Sequence, residues 1–186
     1  MSVIVAYKER DKIIVACDDR ETVKNLYKDS YSRKSKAFVY YGKKEFIIGC
    51  AGNVAIADIL APKIGQLSKI DESTLYDVIL EFQDKFNNTP FIDSDDCLDG
   101  QLIVACNDRA YLISSNLVII EITDYDAIGS GTEPALAVLT ATRHLDLKPI
   151  TRVYLAVKTA GELINTVSEN VYITDTKELR FSKRTL

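Results

Sequence analysis

A serine directly behind the initiating methionine can carry both halves of a catalytic pair. Serine is small, so Met1 is expected to be removed from before Ser2. The mature chain then begins with a hydroxyl and a free α-amine on one residue. An α-amine ionises at about pH 7.7–8.0, so part of it is neutral at physiological pH and can accept a proton. A hydroxyl needs such a base nearby to become a useful nucleophile. No histidine is required, and the chain has only one, His144. A single histidine argues against a His-rich metal site. Its place near the end of a predicted helix suits a side chain facing terminal carbonyls. Met-Ser on its own is a common way for a chain to begin.

The elements around Ser2 follow from hydrophobic patterning. Compact apolar runs predict strands at 2–7, 12–17, 37–42, 45–51, 101–106, 110–115, 117–122, 171–174 and 179–182. Several are continuous rather than alternating, which suits strands covered on both faces. The short polar breaks "KERD", "GKK", "NDR" and "TDTKE" read as hairpins of an antiparallel sheet. Helical spacing appears over 53–68, over 73–86 behind "DEST", over 132–145 with Pro134 in its first turn, and over 149–167 from Pro149. Residues 87–100 are polar and acidic and read as a long loop. This order of strands and paired helices predicts an α+β protein, a four-layer αββα sandwich of two antiparallel sheets with helices outside. The phrases "IIVACDDR" (13–20) and "LIVACNDR" (102–109) are nearly the same. Buried strands draw on few residue types, and that accounts for most of the likeness.

Composition narrows the partners. A chain of 186 residues, 47% hydrophobic and 27% charged, suits a single domain spanning 1–186 with a sizeable core. The net charge of -4 argues against a nucleic-acid partner, which requires a dominant basic surface. No apolar run reaches membrane-spanning length, and the first ends at Lys8, too short for a signal peptide. A cytoplasmic protein with no membrane partner is expected. The four cysteines form no CxxC pair and read as reduced thiols, three of them in strand-like runs. Nothing in the sequence calls for a metal or cofactor.

Five further positions bear on chemistry. Asp18 ends a strand, and Lys34 sits in the basic stretch "SRKSKA". Gly52 lies in "CAGNVAIAD", Ser130 in "AIGSGTEPALAV", and Thr22 in "DDRET". Taken singly these read as a turn aspartate, a solvated lysine and two helix-entry turns. Together with "SVIVAYKERDKIIVACDDRET" they resemble the proteasome β-subunit and HslV peptidase family of N-terminal nucleophile (Ntn) hydrolases, in order and over nearly the whole chain. The resemblance implies the Ntn hydrolase fold and hydrolysis of peptide bonds. It makes Ser2 the nucleophile, where the family usually has threonine. Lys34 would lower the pKa of the Ser2 amine, and Asp18 would orient Lys34. The Gly52 N–H would face the developing oxyanion, a donor typically worth ~2.7–4 kcal/mol. Ser130 would relay hydrogen bonds near the amine. Thr22 would bind extended peptide through its backbone, with Cys50 and Val54 in the side-chain pocket. The family's acidic residue near the end of its fourth helix falls on Ser168, with Glu169 adjacent. The resemblance also implies a homo-oligomeric ring, an unfolded-protein or peptide substrate, and an ATP-dependent unfoldase as partner. Two other classes stay open: a non-catalytic scaffold that retains Met1, and an amidase acting on a small molecule.

Overall fold

Continuous apolar runs become strands buried on both faces when two sheets stack and helices cover the outside. The computed structural model describes residues 2–23, 26–29, 37–87, 89–92 and 95–185, with the strand path alone for 21–23 and 26–29. Among these residues one sheet has five strands: β1 (Ile4–Glu9), β2 (Lys12–Cys17), β10 (Tyr125–Ile128), β11 (Val171–Asp175) and β12 (Ser182–Arg184). Its order is β10-β1-β2-β11-β12. The other five-stranded sheet runs in chain order: β5 (Ala37–Tyr40), β6 (Phe46–Gly52), β7 (Gly100–Cys106), β8 (Arg109–Ile113) and β9 (Ile119–Glu121). A separate hairpin pairs β3 (Arg20–Val23) with β4 (Leu26–Asp29). Every pairing is antiparallel, and the four hairpins expected at the polar breaks all form.

Three cores make the layers. Between the sheets, Ile4, Ala6, Ile13 and Val15 meet Ile47, Ile103 and Ala105. The alternate residues of the same strands, Val5, Ile14 and Ala16, turn outward to α3 (Thr132–Thr142) and α4 (Pro149–Leu163). On the far side Phe46, Ile48, Leu102 and Val104 pack under α1 (Ala55–Ile64) and α2 (Glu72–Phe86). The αββα arrangement explains why these strands are apolar at every position. The near-identical phrases at 13–20 and 102–109 cover most of β2 and β7, the central strands of the two sheets.

Local differences from the expected elements have physical causes. The β3–β4 hairpin lies in a polar, charged stretch with no apolar face to signal it. β10 is only four residues long, and Asp126 interrupts its apolar pattern. β9 starts at Ile119 rather than 117, because Leu117 takes φ +65 in a turn closed by Ser114 N–H to Val118 O at 2.9 Å. The helical spacing to 167 overshoots: α4 stops at Leu163. Ile164 and Val167 still pack into the α3–α4 core, but the chain between them is drawn out to contacts at the end of β2. His144 is exposed beyond the end of α3. Among the described residues, no helix is long and apolar enough to cross a membrane.

Candidate active site

Strand register gathers the candidate residues at one end of the sandwich. Ile4 pairs with Cys17 and with Ile128, so the start of β1 lies beside the ends of β2 and β10. Tyr172 also pairs with Cys17, which brings the segment leading into β11 to the same end. Residues 2, 18, 129–131 and 164–170 therefore meet although they are far apart in sequence.

The peptide unit joining Ser2 to Val3 is held at both ends. Its N–H, on Val3, donates to Asp18 Oδ1 at 3.0 Å. Its carbonyl, on Ser2, accepts from the Gly131 N–H at 3.2 Å and from Ser130 Oγ at 3.4 Å. Gly129 makes this approach feasible. Its φ is +98, and a side chain there would collide with the Ser2 carbonyl and crowd Ala51. Only glycine tolerates both demands. Ser2 itself is 1% exposed.

Asp18 is fully buried and accepts three backbone N–H groups of the described residues. Oδ1 takes the Val3 N–H, and Oδ2 takes the N–H groups of Arg20 and Ser168, each at 3.0 Å. A carboxylate in a core needs such compensation for lost hydration. One side chain thus joins β1, the β2–β3 turn and the segment before β11.

Gly52 ends β6 with φ +130, and an added Cβ would lie 2.5 Å from both Asp99 O and Gly100 Cα. The turn it forms leads into α1. Its predecessor Ala51 abuts Gly129, so this turn borders the Ser2 environment. Cys50 is buried under the same turn, with Sγ donating to Asn53 O at 3.3 Å. Burial, with the Asp99 carboxylate adding to it, pushes its thiol up to about 12. Val54 is 36% exposed at the entry to α1. Thr22 lies in β3, opposite Tyr27. Lys34 and Met1 fall outside the described residues.

Ser130 has a hydroxyl partner that sequence reasoning missed. Thr166 Oγ1 lies 2.9 Å from Ser130 Oγ. Ser168 instead lies buried, its N–H on Asp18 and its Oγ accepting from Asn170 N at 3.1 Å. Glu169 is committed to Lys158, so no acid of this segment takes the place beside Ser130. The missed signal is the "DDR" triplet at the end of β2, whose three side chains all reach the 164–170 segment.

No family model matches the sequence, and no curated protein does. Solved structures do match. Thiobacillus denitrificans BPH aligns at TM-score 0.78 and 17% identity, over 96% of this chain and 98% of that one. The same protein in complex with epoxomicin aligns at 0.78 and 16%, over 96% and 99%. HslV from Trypanosoma brucei aligns at 0.70 and 20%, over 93% and 98%. The chain thus shares the fold of these HslV/BPH-type proteins, an α+β sandwich of two antiparallel sheets between helix layers.

Proposed function

We propose that the chain is a peptide-bond hydrolase whose nucleophile is Ser2, exposed by removal of Met1. The observation that carries this reading is the grip on the Ser2–Val3 peptide unit. Both of its polar ends are bound, by Asp18 on one side and the 129–131 turn on the other. That degree of fixation suits a residue that must meet a substrate carbonyl at a set angle.

The chemistry runs as an acyl transfer. The Ser2 Oγ–H proton passes to the α-amine as Oγ bonds to the substrate carbonyl carbon. The carbonyl π pair moves to oxygen, where the Gly52 N–H is the candidate donor. Collapse breaks the C–N bond, and the ammonium returns its proton to the departing amine. Water then attacks the ester, the amine takes the water proton, and Oγ leaves with a proton restored. Lys34 would keep the amine neutral by its nearby charge. Thr22 would align an extended peptide, with Val54 in the wall of the pocket and buried Cys50 behind that wall. The structural neighbours support a homo-oligomeric ring with an ATP-dependent unfoldase as partner and unfolded chains as substrate.

The test is intact mass followed by turnover. Purified protein is expected to lack Met1 and to cleave fluorogenic peptides, and Ser2→Ala is expected to be inactive. Unchanged hydrolysis by Ser2→Ala overturns the reading. A second reading, a non-catalytic scaffold, draws on the burial of Ser2 at 1% exposure. A mass that includes Met1, with no turnover, decides for it.

A further inference from the structure

The segment from Ile164 to Asn170 interrupts what the apolar spacing reads as helix, and three consecutive side chains hold it in place. Asp18 Oδ2 accepts the Ser168 N–H at 3.0 Å. The Asp19 carboxylate accepts from Asn170 Nδ2 at 3.2 Å. Arg20 Nη1 donates to Asn165 O at 2.8 Å and to Val167 O at 3.1 Å. The two carbonyls held by Arg20 flank Thr166. Thr166 is the residue whose hydroxyl reaches Ser130, and Ser130 in turn reaches the Ser2 carbonyl. The parallel phrase does different work, since its Arg109, the first residue of β8, pairs with Glu121 on β9. The likeness between the two phrases therefore stops at the strands.

We propose that Arg20 and Thr166 are positioning residues for Ser2, with Arg20 aiming the Thr166 hydroxyl at Ser130. The inference rests on the reading of Ser2 as nucleophile. A serine hydroxyl has one proton and two acceptor sites. When Thr166 donates to Ser130, the Ser130 proton is left for the Ser2 carbonyl. Without that donor the Ser130 hydroxyl rotates freely, and the Ser2 carbonyl keeps only the Gly131 N–H. Both bonds come from Nη1, whose two N–H groups lie in the plane of the guanidinium and so fix the two carbonyls relative to each other.

Substitutions at Thr166 separate hydroxyl from packing. Thr166→Val keeps the shape and removes the hydroxyl; Thr166→Ser does the reverse. We expect Thr166→Val to lower kcat about tenfold with little change in KM, the scale at which slight misplacement acts. Thr166→Ser is expected to recover most of that loss, and Arg20→Met to resemble Thr166→Val. In the double variant the two losses should not add, because they act through one path. Thermal unfolding checks each variant. If Arg20→Met proves unfolded, the Val and Ser pair still decides. Full kcat in Thr166→Val, or a loss in Thr166→Ser matching that in Thr166→Val, overturns the inference while Ser2 stands. An inactive parent protein that retains Met1 removes the nucleophile itself, and this inference with it.

Discussion

Asp18 joins a structural role to the one proposed for it in catalysis. Its two oxygens receive three backbone N–H groups in a site with no exposure. Asp18→Asn replaces one acceptor oxygen with an N–H₂ facing donors, which leaves at least one buried N–H unpaired. A loss of about 1–3 kcal/mol is expected from urea unfolding, accompanied by loss of turnover. Tyr111 presents the opposite case. It is 1% exposed, and its hydroxyl has no hydrogen-bond partner among the described residues. Tyr111→Phe removes that unpaired oxygen from the core and should raise stability by about 1 kcal/mol in the same assay. Cys50 gives a chemical readout of its own burial. With its thiol pushed up to about 12, it stays protonated at neutral pH, and thiolate is the reactive form. Brief iodoacetamide treatment of the native protein should leave the Cys50 peptide unmodified, and treatment after unfolding should label it.

At the scale of elements, α2 carries a pH dependence that can be isolated. Its N-cap Asp71 accepts from the Thr74 N–H at 3.1 Å, and Thr74 Oγ1 accepts from the Asp71 N–H at 3.1 Å. The Lys69 ammonium, followed by the Thr74 N–H, lowers the Asp71 carboxyl to about 2. The folded value lies below the ordinary ~3.9 of the unfolded chain. The stabilisation is therefore complete above about pH 4 and is lost as the pH falls toward 2. Asp71→Asn keeps a capping oxygen without the charge, so its unfolding midpoint should vary less over that interval than the parent's. Patterning of this kind made most elements legible beforehand. The "DEST" start of α2 was readable because a cap is local chemistry, and the central strands because burial on both faces leaves a continuous apolar run. β3, β4 and β10 were not, since a polar hairpin and a four-residue strand send no such signal. The end of α4 departs from the spacing for a different reason: half-buried Ile164 and buried Val167 keep helical spacing while Arg20 and Asp18, distant in sequence, draw the backbone away. For the site, Ser2 could be singled out from its chemistry, whereas Asp18 and Ser130 read singly as turn residues and stood out only through the resemblance. The Ser130–Thr166 pairing could not, because nothing local to Thr166 reports what stands opposite it.

For the whole molecule, the two outer cores make separable contributions. The α1–α2 layer rests on Phe46, Ile48 and Val104, and the α3–α4 layer on Val5, Ile14 and Ala16. The Ser2 surroundings are built from the β1, β2 and β10 ends of the α3–α4 side, with Ala51 reaching across from β6. The proposed ring is checked by light scattering at micromolar concentration: a mass several times that of one 20.8 kDa chain is expected, and a monomer would refute it.

The pairing of β1 with β10 also has a consequence for biosynthesis. Ser2 is synthesised well before its partners: its carbonyl waits for Ser130 and Gly131, and Asp18 waits for Ser168. Such distant closures come late in folding. A nascent or proteolytically clipped chain that lacks the segment before β11 carries Ser2 without all the groups that fix it. If Ser2 acts as proposed, chain order alone thereby holds back cleavage until the site has closed.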